Sequence, residues 1–103
     1  IQANGHSMEP RIMDGDFCVF RANIVGSRIG KIVLVQHPEH YDFENGGSYS
    51  IKKYSSEKKQ DPETGEWMHE RIILYPLNPD YQPIEIRNEE GFIVVGEFIG
   101  IVK

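Results

Sequence analysis

The apolar residues of this chain come in short runs, none of which repeats at helical spacing, and each run is stopped by glycine, proline or small polar residues. Runs of that kind read as β-strands, because a strand needs only a few residues and its side chains alternate between two faces. Residues 31–37, Lys-Ile-Val-Leu-Val-Gln-His, are nearly continuous in apolar character and run up to Pro38, which predicts a strand covered on both faces. Residues 16–21 predict a shorter strand, entered through the turn-forming pair Asp14-Gly15. Residues 49–55 alternate, so Tyr49, Ile51 and Lys53 share one face while Ser50, Lys52 and Tyr54 share the other. Asp61-Pro62-Glu63-Thr64-Gly65 is a turn signature, and residues 49–55 and 66–75 are expected to pair as a hairpin with a solvated tip. Residues 84–86 predict a short strand and residues 92–102 a last long one, in which Gly96 and Gly100 mark bulges or close backbone approaches. Six or seven short antiparallel strands make an all-β fold, either a small β-sandwich or a partly open barrel.

A length of 103 residues suits one domain with one core, spanning residues 1–103. With 11 Lys and Arg against 16 Asp and Glu, the formal charge is −5, which disfavours nucleic-acid binding by this segment, because phosphate contacts need clustered cations. The single cysteine, Cys18, excludes an internal disulfide and any multi-cysteine zinc site, which is compatible with a reducing cytoplasm. It lies in an apolar strand and reads as a small buried hydrophobe. No run approaches the roughly 20 apolar residues that a membrane-spanning helix needs, so no membrane association is expected. The chain begins at Ile1 rather than Met and reads as a fragment of a longer protein.

The chemistry is concentrated in Gly5-His6-Ser7-Met8-Glu9-Pro10, followed by Asp14-Gly15-Asp16. Ser7 stands before a turn stiffened by Pro10 and is placed to present its hydroxyl. A serine hydroxyl is a poor nucleophile unless a base takes its proton. The four histidines, His6, His37, His40 and His69, have no evident carboxylate partnership and no metal-ligand spacing, and the last three read as loop or surface residues. Neither a metal nor a cofactor is expected. A lysine can act as the base if it is neutral, and the strand at residues 49–55 offers Lys52 and Lys53; alternation alone does not choose between them. A free lysine, with a pKa near 10.4, is almost entirely charged at neutral pH. Lowering that value by about three units corresponds to roughly 4 kcal/mol, so the base needs a dry pocket.

These blocks, together with Ile51-Lys52-Lys53, Leu74-Tyr75-Pro76-Leu77-Asn78-Pro79-Asp80-Tyr81-Gln82-Pro83-Ile84 and Val95-Gly96-Glu97-Phe98-Ile99-Gly100, resemble the C-terminal domain of LexA-like and phage-repressor-like proteins. That is the S24 group of Ser-Lys peptidases, related in fold to signal peptidases. The resemblance runs through nearly the whole chain in order. It implies Ser7 as nucleophile and Lys52, the first lysine of the pair, as general base. The backbone N–H groups of Ser7 and His6 are the candidate oxyanion donors. The His6 side chain, at i−1, is expected to point away from the serine.

The resemblance further implies self-cleavage of a linker upstream of Ile1 in the DNA-damage (SOS) response, promoted by RecA filaments, and a homodimer with the C-terminal strand near its interface. DNA contact would come only through a separate helix-turn-helix domain absent from this chain. Competing readings are a non-catalytic oligomerisation or sensor domain, a module appended to another enzyme, and a peptidase acting in trans. Residues 77–81 then read as a structural turn, Asp14-Gly15-Asp16 as architecture, and Trp67 and Met68 as interface or core.

Overall fold

A computed structural model describes residues 1–37, 49–58, 60–66, 71–86 and 91–102. Six strands follow in chain order: β1 (Phe17–Arg21), β2 (Ile32–Gln36), β3 (Tyr49–Glu57), β4 (Arg71–Tyr75), β5 (Ile84–Ile86) and β6 (Ile93–Val102). All pairings are antiparallel, and they build one open sheet in the order β1-β6-β2-β3-β4-β5. The all-β class is as expected, in its open form, and the described residues contain no helix.

The long closing strand β6 sits between β1 and β2, so the two ends of the chain meet inside the sheet. It shifts register twice: Val19 faces Gly100 while Phe20 faces Phe98, and Leu34 faces Gly96 while Val35 faces Val94. Each shift inserts an extra residue into β6, next to one of the two glycines in which the sequence suggests irregularity. Bulges of this kind bend a strand and increase its local twist.

The strand β2 is covered on both sides. Val33 and Val35 pack with Tyr54, Ile72, Leu74 and Ile86, whereas Leu34 packs with Met8, Ile12, Cys18, Ile51 and Phe98. An apolar run without alternation is what burial of both faces requires. Two apolar clusters thus flank one strand, and the second contains the turn that carries Ser7.

The sheet departs from the expected boundaries in a few places. Strand β3 continues to Glu57, and β4 begins at Arg71, while Glu66 lies in the connection and donates its amide to Thr64 Oγ1. The tip is a tight turn, with the Gly65 amide on the Asp61 carbonyl at 2.8 Å. His37 requires a correction: it follows β2 and is fully buried, its ring 6.0 Å from that of Phe92. The apolar run before it carries it inside, and a polar side chain at the end of a doubly covered strand need not reach the surface. His40, Trp67, Met68 and His69 lie outside the described residues.

Candidate active site

The turn bearing Ser7 is tied to itself and to the sheet. Gly5 has φ +93°, a conformation that side chains with a Cβ avoid, and its amide donates to Asp14 Oδ1 at 2.7 Å. The Met13 amide donates to Asp16 Oδ2 at 2.8 Å, and the Gly15 amide to the Ala3 carbonyl at 2.8 Å. Asp14 and Asp16 therefore close the loop as backbone acceptors, which is the architectural role expected of them. Between those ties the chain makes a single helical turn, with the Ile12 amide 3.0 Å from the Met8 carbonyl. Met8 and Ile12 sink into the core and are 4% and 1% exposed. Anchored at both ends, the turn holds Ser7 at 6% exposure.

Lys52 arrives from β3. Its register partner on β2 is Val33, which is fully buried, and the lysine itself is only 5% exposed. Lys53, the alternative base, is exposed and faces away. The Lys52 Nζ lies 2.9 Å from Ser7 Oγ, across 45 residues of sequence. The same nitrogen also donates to Ser50 Oγ at 2.9 Å and to the Ile51 carbonyl at 3.2 Å. A small pocket opens over this group, with Ala3, Met8, Ile12 and Ile51 forming apolar wall and Asn4, Gly5, Ser7, Ser50 and Lys52 completing it.

Those three acceptors suit either protonation state of the amine. An ammonium donates to all three. A neutral amine has two N–H groups for Ser50 Oγ and the Ile51 carbonyl, and its lone pair then faces Ser7, whose O–H donates instead. Removal from water works against the charged form of a lysine. A hydroxyl and an amine in hydrogen-bond reach, both buried beside an apolar wall, can exchange a proton, which is the requirement for nucleophilic catalysis by serine.

Over 34 residues the chain is 41% identical to the LexA repressor of Xylella fastidiosa, equally in strains M12, M23 and Temecula1 / ATCC 700964. The chain is LexA-like over that stretch. It covers 33% of this chain and 16% of the repressor. No protein-family model matches the chain.

The remaining sequence candidates fall away from the centre. The His6 side chain is 57% exposed, and its Nδ1 pairs with Glu9 Oε2 at 2.8 Å. That bond, joined by the Asp14 amide on the same oxygen at 3.3 Å, holds the Glu9 carboxyl below its ordinary range. Cys18 is buried, and burial pushes its thiol above the ordinary 9.0, with the nearby Asp16 charge adding to the effect. Among the described residues no group of three His, Cys, Asp or Glu side chains is placed to hold a metal, and no helix is long and apolar enough to cross a membrane.

Two contributors escape a reading of the sequence alone. Ser50, 2% exposed, supplies the second hydroxyl at Lys52. Its signal is its position, two residues before the lysine on the same strand face. The other is the loop after β4, whose Leu77 and Asn78 amides both donate to the Ser7 carbonyl at 3.0 and 2.9 Å. Residues 77–81 do form a turn, with the Tyr81 amide on the Asn78 carbonyl and the Asp80 amide on Asn78 Oδ1. Nothing in the loop's own sequence tells that it binds the serine turn.

Proposed function

We propose that this chain is the Ser-Lys peptidase domain of a LexA-like or phage-type repressor, cleaving its own polypeptide at a peptide bond upstream of Ile1. The observation that carries the reading is the 2.9 Å contact between Lys52 Nζ and Ser7 Oγ, both groups buried. Neutral Lys52, holding its two N–H groups on Ser50 and the Ile51 carbonyl, accepts the Ser7 proton as Oγ bonds to the scissile carbonyl carbon. The carbonyl π pair moves to oxygen, and the backbone N–H groups of Ser7 and His6 receive that oxyanion. Collapse breaks the C–N bond; the proton on Lys52 goes to the leaving amine, and an ester on Ser7 remains. Water then attacks the ester, Lys52 taking its proton and Ser7 Oγ leaving as the hydroxyl.

The setting we propose rests on resemblance to LexA-like repressors. The substrate is the linker to an upstream DNA-binding domain, cleavage belongs to the DNA-damage response with RecA filaments as promoter, and the domain dimerises. The cytoplasm is its compartment.

The test is incubation of the protein with its native upstream segment at alkaline pH, beside Ser7→Ala and Lys52→Ala variants. A single upstream cut in the parent, lost in both variants, is expected. Cleavage that persists in either variant, or none in the folded parent, would overturn the assignment.

A further inference from the structure

We infer that Asn78 is a positioning residue for the oxyanion site: it sets the direction of the Ser7 N–H by holding the carbonyl on the other side of the same peptide unit. This rests on the reading of Ser7 as nucleophile. The Asn78 side chain donates from Nδ2 to the His6 carbonyl at 2.9 Å, across 72 residues of sequence, beside the Glu9 amide of the same turn, which donates to that oxygen at 3.1 Å. In a trans peptide the carbonyl and the following N–H point in opposite directions and lie in one plane. Fixing the His6 carbonyl toward the 77–78 loop therefore turns the Ser7 N–H away from that loop. The Asn78 and Leu77 amides do the same for the next peptide unit, through the Ser7 carbonyl.

Asn78 is itself held in place. Its Oδ1 accepts the Asp80 amide at 3.0 Å, which fixes the side-chain amide so that Nδ2 is the end facing His6. The Glu9 amide ties the His6 carbonyl only within its own turn, so the bond from Asn78 is what fixes the unit against the sheet, and a donor that must reorient during reaction stabilises a developing charge poorly. The loop after β4 thereby supplies preorganisation without touching the reacting atoms.

Asn78→Asp separates this role from that of the turn, because the carboxylate keeps the acceptor for the Asp80 amide and loses the donor to His6. A fluorophosphonate probe reports on Ser7 directly, since Oγ displaces fluoride from phosphorus while the phosphoryl oxygen occupies the oxyanion site. Labelling of the parent chain at Ser7, absent in Ser7→Ala, establishes the nucleophile. Against that baseline Asn78→Asp and Asn78→Ala should label about 10- to 100-fold more slowly, with the pH midpoint of labelling unchanged, because the lysine is untouched. A rate within about twofold of the parent, or a shifted midpoint at an unchanged limiting rate, overturns the inference. A parent chain that does not label removes the nucleophile reading instead. The Ser7 amide resonance then still decides the geometric claim: it should move in Asn78→Ala, and an unchanged shift and exchange rate would refute it.

Discussion

Ser50 Oγ and Lys52 Nζ stand 2.9 Å apart on one face of β3, so the strand that delivers the amine also delivers a hydroxyl to orient it. Both side chains are buried, and Ser50 is paired in register with the fully buried Val35. A lysine has a long flexible stem, and a second partner beside Ser7 removes much of its freedom. Ser50→Ala should therefore leave the amine mobile and short of a buried partner, at a cost of about 1–3 kcal/mol. Labelling or cleavage at Ser7 is expected to slow by about tenfold or more, with partial recovery in Ser50→Thr, which keeps the hydroxyl. Equal rates in Ser50→Ala and the parent would show that Lys52 does not need the Ser50 hydroxyl as an anchor.

The bulge at Gly96 tests how tightly the middle of the sheet is built. A Cβ added there would meet the Arg21 carbonyl oxygen at 2.8 Å and Phe20 Cβ at 3.2 Å. The first of these is backbone in the neighbouring strand and cannot move without distorting the β1–β6 pairing. Gly96→Ala should destabilise by roughly 1–3 kcal/mol. Gly100 lies at the companion bulge, yet a Cβ there meets nothing within 4 Å. Gly100→Ala should be neutral or stabilising by up to about 1 kcal/mol, because it narrows the unfolded ensemble. Urea denaturation of the two variants settles the contrast, which disappears if both glycines are equally tolerant.

The two glycines also mark the limit of what the sequence discloses. Run lengths, alternation and turn residues are local, so β1, β2, β3, β5 and β6 are legible from them, as is the shared face of Ser50, Lys52 and Tyr54, but not which face is buried, since Ile51 is buried beside the exposed Tyr49 and Lys53. The placement of β6 between β1 and β2 is not local, and with it goes the difference between a crowded Gly96 and an open Gly100. His37 misleads for the same reason: its polarity suggests surface, whereas both of its strand's faces are covered by elements remote in sequence. At the site, Ser7 and Lys52 emerge through resemblance, since alternation leaves Lys52 and Lys53 equal. The clamp of Leu77 and Asn78 on the His6 and Ser7 carbonyls joins segments some 70 residues apart and leaves no trace in the pattern of either.

The His6–Glu9 pair at the mouth of the serine turn gives a measurable titration. The His6 bond is the larger cause of the lowered Glu9 carboxyl, and the Asp14 amide is the next. A carboxylate whose proton affinity is lower in the folded chain contributes its stabilisation above its ordinary range, and the contribution fades as the pH falls through the folded value. Carboxyl carbon resonances should show Glu9 titrating below the ordinary 4.5, and His6→Ala should bring it back toward that value. The pair lies at the surface, with Glu9 half-buried and His6 exposed, so solvent screening is expected to keep the effect on overall stability slight. An unmoved Glu9 titration in His6→Ala would mean that the Asp14 amide alone holds the carboxylate.

Cys18 gives a prediction at the other end of the pH scale, in the window used to drive lysine deprotonation. Burial, followed by the Asp16 charge, makes the folded thiol hold its proton above the ordinary 9.0 that applies when the chain is unfolded. Below that ordinary value both states carry the proton, and the contribution of the thiol to stability is complete. Above it the unfolded chain releases its proton first, so stability falls as the pH rises until the folded thiol titrates as well. Alkaline incubation therefore weakens the fold under the conditions of the cleavage test. In Cys18→Ala the lost sulfur costs about 1 kcal/mol at neutral pH, but the alkaline loss due to the thiol is gone. Urea midpoints for the parent and the variant, followed from about pH 7 to about pH 11, should converge as the pH rises. Parallel curves would show that Cys18 ionises alike in both states and that any alkaline loss comes from other groups.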